Sequence, residues 1–110
     1  MDLDLCRDRI VMFAVKSMAW FMMGNPDDYR RGWTWRQIPI SQGMADMPGF
    51  VKILKKLDFN GPVSFHSEYQ GKYSWEDLNE AQVVEQTRKD LEYFRGLWNA
   101  AQLPERILYP

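Results

Sequence analysis

The sequence predicts an α/β protein of parallel strands with covering helices. Two segments carry this reading: the apolar run Ile10-Val11-Met12-Phe13-Ala14-Val15 behind the charged cluster Arg7-Asp8-Arg9, and the segment Gly61–Tyr69. A continuous apolar run without alternation suits a strand buried on both faces of a parallel sheet. An amphipathic helical pattern follows each, so the order is strand, helix, strand, helix. That order implies parallel pairing through a right-handed crossover.

Taken in order, residues 2–8 read as the tail of a preceding helix and residues 10–15 as the first strand. From about Ser17 to Asp46 the chain reads as a long irregular stretch, broken by Gly24-Asn25-Pro26-Asp27-Asp28, Gly32, Pro39 and Gly43. Structureless loops of this length are usually functional or cover something. Asp46 caps the next helix, with Pro48 tolerated in its first turn. Phe50, Ile53, Leu54 and Leu57 then share one face, and Lys52, Lys55 and Lys56 lie largely toward solvent. Asn60-Gly61-Pro62 leads into the second strand, where Gly61 is expected to adopt a conformation closed to branched residues. Ser74-Trp75-Glu76-Asp77 reads as a capping box opening a long helix whose apolar stripe is Leu78, Ala81, Val84, Thr87, Leu91, Phe94, Trp98 and Ala101.

Composition bounds the function. With 110 residues, 45% hydrophobic and a formal charge of −1, the chain is one globular unit with no separate second domain. Neither end carries a basic patch or an acidic tail, which removes support for nucleic-acid or membrane-surface binding. Cys6 is the only cysteine, which excludes an internal disulfide or a cysteine-rich zinc site and fits a reducing, cytoplasmic setting. Met1-Asp2-Leu3-Asp4 lacks the features of a signal peptide, and no apolar run approaches the roughly 18 residues of a membrane helix.

Two strands and two helices do not close a domain, because parallel sheets are covered on both faces and have more strands. Trp20, Phe21, Met22, Met23, Trp33 and Trp35 would lack partner surface. Either another chain completes the fold, or these residues belong to the C-terminal part of a larger protein.

Four stretches carry a family resemblance: Arg9–Ser17; Trp35–Asp46, reading WRQIPISQGMAD; Phe50–Leu57; and Phe59–Tyr69, reading FNGPVSFHSEY. In order and spacing they resemble the end of the sugar phosphate isomerase/epimerase family, the xylose-isomerase-like TIM barrel. The similarity covers about residues 5 to 98. It implies the last two β/α units of a (β/α)8 barrel, a partial barrel in this chain.

The resemblance further implies a divalent metal (Mn, Mg, Co or Zn) at the barrel's C-terminal face, and a sugar or sugar-phosphate substrate. Hard oxygen ligands and an open coordination position suit the neutralisation of a developing enediolate. Glu68 matches the family's last metal-binding glutamate, and the resemblance implies for it the catalytic acid/base role that residue has in many members. Lys16, His66 and Trp35 are the candidate substrate contacts. The preceding strand departs from the family's His-x-Lys-Asp arrangement: this chain has Ala14-Val15-Lys16-Ser17, and neither Ala14 nor Ser17 replaces the expected ligand.

Each candidate has a plain alternative. Glu68 also reads as a solvated strand-end carboxylate, His66 as a hydrogen-bonded core histidine, Lys16 as a counter-charge to Glu68, and the tryptophans as core or interface. Two functions stand side by side. One is the C-terminal fragment of a metal-dependent sugar isomerase or epimerase, silent alone because its site is incomplete. The other is a non-catalytic truncated barrel relative that associates with itself or with a partner. An endonuclease of the same barrel type ranks below both, since no basic face serves DNA phosphates.

Overall fold

The computed structural model describes residues 9, 10, 12–23 and 32–101. The expected helix tail at residues 2–8, and the Cys6 within it, lie outside them.

Strand β1 (Phe13–Val15) pairs in parallel with β4 (Val63–Phe65), in the register Phe13↔Val63, Ala14↔Ser64 and Val15↔Phe65. The parallel pairing expected from the order of elements is present, although β1 covers only the second half of the apolar run. Between these strands lie β2 (Ser17–Met23), β3 (Gly32–Ile38) and helix α1 (Met47–Lys56); helix α2 (Glu80–Ala100) follows β4. The stretch read as an irregular loop is therefore largely an antiparallel hairpin. Its strands run through Trp20-Phe21-Met22 and Trp33-Thr34-Trp35, where the aromatic residues favour a pleated surface.

Helix α1 begins where the sequence places it. The Asp46 carboxylate accepts the Gly49 N–H at 3.0 Å, with Pro48 in the first turn. At the other end Asp58 takes a left-handed conformation (φ 53°), while the Phe59 N–H closes onto the Leu54 carbonyl at 3.0 Å. That is a C-terminal cap of the kind glycine usually makes, with aspartate tolerated in its place. Met47, Val51 and Leu54 form the buried face, whereas Ile53 points outward. Lys55 is half-buried, its Nζ donating to the Ala101 carbonyl and lying over the Trp98 ring.

Helix α2 starts later than expected. Its capping box is Asn79 with Gln82, each side chain bonding the other's backbone N–H at 2.9 Å. The residues read as a box act otherwise: Ser74 is buried and bridges to Gln37, and Asp77 accepts the Gly71 N–H. The expected inward stripe holds along the second half of the helix, where Thr87, Leu91 and Trp98 are half-buried, and fails only in its first turns. Asp90, Phe94 and the capping Ala101 are buried, while Ala81 and Val84, expected inside, are exposed. Positive φ in a glycine falls on Gly71, in the loop after β4, and not on Gly61.

The core joins Val15 of β1, Ile40, Met47, Val51 and Leu54 of α1, and Phe94 and Ala101 of α2. Edge-to-face rings knit it: Phe13 packs on Phe50 and Phe59, and Phe65 on Phe94. Both helices therefore cover the sheet face that bears Phe13, Val15 and Phe65. The opposite face carries Ala14, Lys16 and His66, all exposed. No helix among the described residues is long and apolar enough to cross a membrane.

Candidate functional site

The carboxyl ends of β1 and β4 lie side by side, because Val15 pairs with Phe65 and the His66 N–H donates to the Val15 carbonyl at 3.0 Å. Lys16 and His66 are the next residues on the two strands. By the alternation of strand side chains both leave from the face opposite the helices. Ligands of parallel α/β proteins collect at this end of the sheet.

His66 and Glu68 come together: His66 Nδ1 lies 3.7 Å from Glu68 Oε1, with both side chains solvated. The histidine is thus no core residue, and its ring stands beside the carboxylate expected to act. The side chain beside the Glu68 carboxylate is His66, not Lys16. Lys16 instead lines a cleft with Ala14, Ala45, Asp46 and Phe50 at the start of α1. Trp35 is remote in sequence yet tied to the site through its strand. Two residues on, Gln37 is buried and its side-chain amide donates to the His66 carbonyl. The Gln37 backbone also exchanges bonds with the 73–75 segment, accepting from the Trp75 N–H and donating to the Tyr73 carbonyl. The Trp35 ring itself stacks on Tyr73, with centroids 5.1 Å apart and an interplanar angle of 17°.

Ser17, where the resemblance leads one to expect a carboxylate, is buried. Its Oγ accepts the Ala45 N–H at 3.3 Å and presses against Gly43. It holds the base of the hairpin and is not a ligand.

Three functional supports were not legible as such. Asp90 is a buried carboxylate on α2 that accepts from the Tyr69 hydroxyl, from the Ile40 N–H and from Gln86 Nε2 at 3.0 Å. Tyr69 is itself buried, and its hydroxyl is pushed well above its ordinary pKa, first by burial and then by its bond to Asp90 and that residue's charge. One residue before Glu68, the Ser67 hydroxyl lies 2.7 Å from that of Thr87. Together these bonds clamp the strand-end segment 66–69 onto α2. The available signal was Asp90 itself, four residues before Phe94 and so on the same helical face.

The metal implied by the resemblance does not find its ligands in these residues. Among the described residues no group of three or more His, Cys, Asp or Glu side chains stands close enough to hold an ion. His66 and Glu68 supply two donors, fewer than a divalent site of this kind takes. What the pair can do is move a proton: a solvated carboxylate beside an imidazole at an open strand end is a general acid/base arrangement.

No protein-family model matches the chain, and no curated protein or solved structure is significantly similar to it.

Proposed function

We propose that the chain is the C-terminal β/α part of a barrel enzyme that isomerises or epimerises a sugar or sugar phosphate by proton transfer next to a carbonyl. The observation that carries this is the one-sided sheet. Helices cover the face with Phe13, Val15 and Phe65, while the opposite face presents Ala14, Lys16 and His66 uncovered at the strands' carboxyl ends. A parallel sheet is stable when both faces and its edges are covered, and a closed barrel does this with further strands. The uncovered face would then look into the barrel.

In this reading the Glu68 carboxylate removes a proton from the carbon beside the carbonyl, leaving an enediolate. It returns the proton to the neighbouring carbon on the same face; inversion at the same carbon would take a second acid on the opposite face, supplied by the remaining strands. His66 orients Glu68 and a substrate hydroxyl, and Lys16 faces the oxygen on which charge gathers. No step is assigned to a metal. The test is deuterium incorporation from heavy water into a ketose or aldose, followed by proton NMR. The 110-residue chain alone should exchange nothing; a protein that includes the remaining strands should, and Glu68→Gln should abolish it. Undiminished exchange in Glu68→Gln removes Glu68 from the chemistry.

A specific observation favours a second reading. Ala14 offers no donor and Ser17 is committed to holding the hairpin, so the β1 end lacks the family's ligand chemistry. A barrel relative without catalysis, stabilised by association through its open sheet edges, fits that loss.

A further inference from the structure

The hairpin turns its larger apolar side chains to solvent. Trp20 stands opposite Trp35 and Met22 opposite Trp33, so the four share one face. Trp20 is 54% exposed, Trp33 63% and Trp35 39%, whereas Ala19, Phe21, Thr34 and Arg36 on the other face are half-buried. Tyr73 lengthens the surface by stacking on Trp35. Trp20 and Trp33, diagonal neighbours, wall an apolar cleft.

We infer that this face is a platform for a neutral carbohydrate chain whose end reaches the His66–Glu68 site. Charge, area and continuity support that occupant. Among the described residues the face bears no charged side chain, only Met18, Trp20, Met22, Trp33, Trp35 and Gln37. At its rim Lys72 Nζ lies 5.0 Å from the Tyr73 ring centroid, but the strands' own face offers no charge to complement a nucleic acid or a charged peptide.

The five exposed side chains, Tyr73 included, offer roughly 500 Å², below the roughly 800 Å² per partner of a standard protein interface and within the range of functional patches. Among the described residues these side chains fall short of what a second copy would need for a standard interface. Sugar rings fit the chemistry better, with apolar C–H faces for the indoles and hydroxyl edges left to water.

The platform also continues into the strand-end site. Gln37 lies on the same face as Trp33 and Trp35, and its amide holds the His66 carbonyl. From Trp33 to Gln37 the strand advances about 13 Å, which is room for more than one sugar ring. The substrate class is accordingly an oligosaccharide with a free reducing end, which can open to the carbonyl form, not a free monosaccharide alone. This rests on the sugar chemistry proposed above.

The test is titration of the 110-residue chain with cellohexaose and with xylohexaose, read by tryptophan fluorescence and saturation-transfer NMR. One of them should perturb the tryptophans, and Trp33→Ala and Trp20→Ala should each weaken binding about tenfold. Far-UV circular dichroism and Tm should not change, because both rings are exposed. No binding of either hexasaccharide at millimolar concentration, or equal binding by Trp33→Ala, overturns the platform. So does concentration-dependent association in sedimentation velocity that Trp33→Ala abolishes, which assigns the face to a second copy. Lys52→Ala, exposed on α1 and away from the face, should bind the glycan like the parent chain. Failed binding therefore counts against the platform, and exchange surviving Glu68→Gln counts against the isomerase reading.

Discussion

Asp90 shows how one side chain can hold a site it does not enter. Its carboxylate is buried and satisfied by Tyr69, Ile40 and Gln86, joining α2, the segment after β4 and the turn before α1. Asp90→Ala leaves a buried hydroxyl and a buried N–H without partners, and should cost about 2–4 kcal/mol in urea denaturation. A change near zero would show that the pair contributes nothing. The Tyr69 hydroxyl, raised by burial and by Asp90, also sets a pH dependence. Its stabilisation is complete below the unfolded pKa of about 10 and is lost as pH rises above it, since the unfolded state then gives up the proton first. Tm should fall above about pH 10 in the parent chain and fall less in Tyr69→Phe. At Gly43 an added methyl group would sit 1.8 Å from Ser17 Oγ and 2.6 Å from Ser17 Cβ. Gly43→Ala should destabilise by about 1–3 kcal/mol, seen as a lower urea midpoint. Glu68 and His66 were legible because a strand end is read from local sequence. Asp90 and Gln37 were not, because their partners lie 21 to 50 and 29 residues away.

At the scale of elements, the start of α1 was legible because it is a local matter of one side chain and one N–H, whereas its face was only partly so: Val51 is buried and Ile53 points outward. Asp46→Ala should cost about 1 kcal/mol of stability by thermal melting. The reading of α2 failed for a physical reason: Ser74-Trp75-Glu76-Asp77 resembles a cap locally, but Ser74 is engaged by β3 and Asp77 by Gly71. Tertiary pairing overrode a local preference, and Ala81 and Val84, in the first turns, fall outside the stripe that Thr87, Leu91, Phe94 and Trp98 keep. That loss is testable at two sites. Val84→Glu, at a position 70% exposed, should leave Tm unchanged, while Phe94→Ala in the core should cost about 3–4 kcal/mol. A cost at Val84 as well as at Phe94 would restore the stripe as first expected. The hairpin was missed because the pairing that makes strands of Ser17–Met23 and Gly32–Ile38 is not written in a two-residue turn signal.

For the whole molecule, the helices cover one face of a two-stranded parallel sheet whose outer edges are unpaired among the described residues. Light scattering with near-UV circular dichroism on one sample separates the two functional readings. A monomer with weak aromatic signals is expected for a partial barrel awaiting its other strands. A discrete oligomer with ordered aromatics would favour the associating module.

The sequence alone determined the parallel β-α-β order, the α1 cap and the His66–Glu68 strand end, since each rests on neighbours within a few residues. The tertiary structure alone decided the outward tryptophan face, the Gln37 tie to His66 and the burial of Asp90. Those depend on which strands pair across the chain, and burial, not local propensity, assigns each side chain its partner.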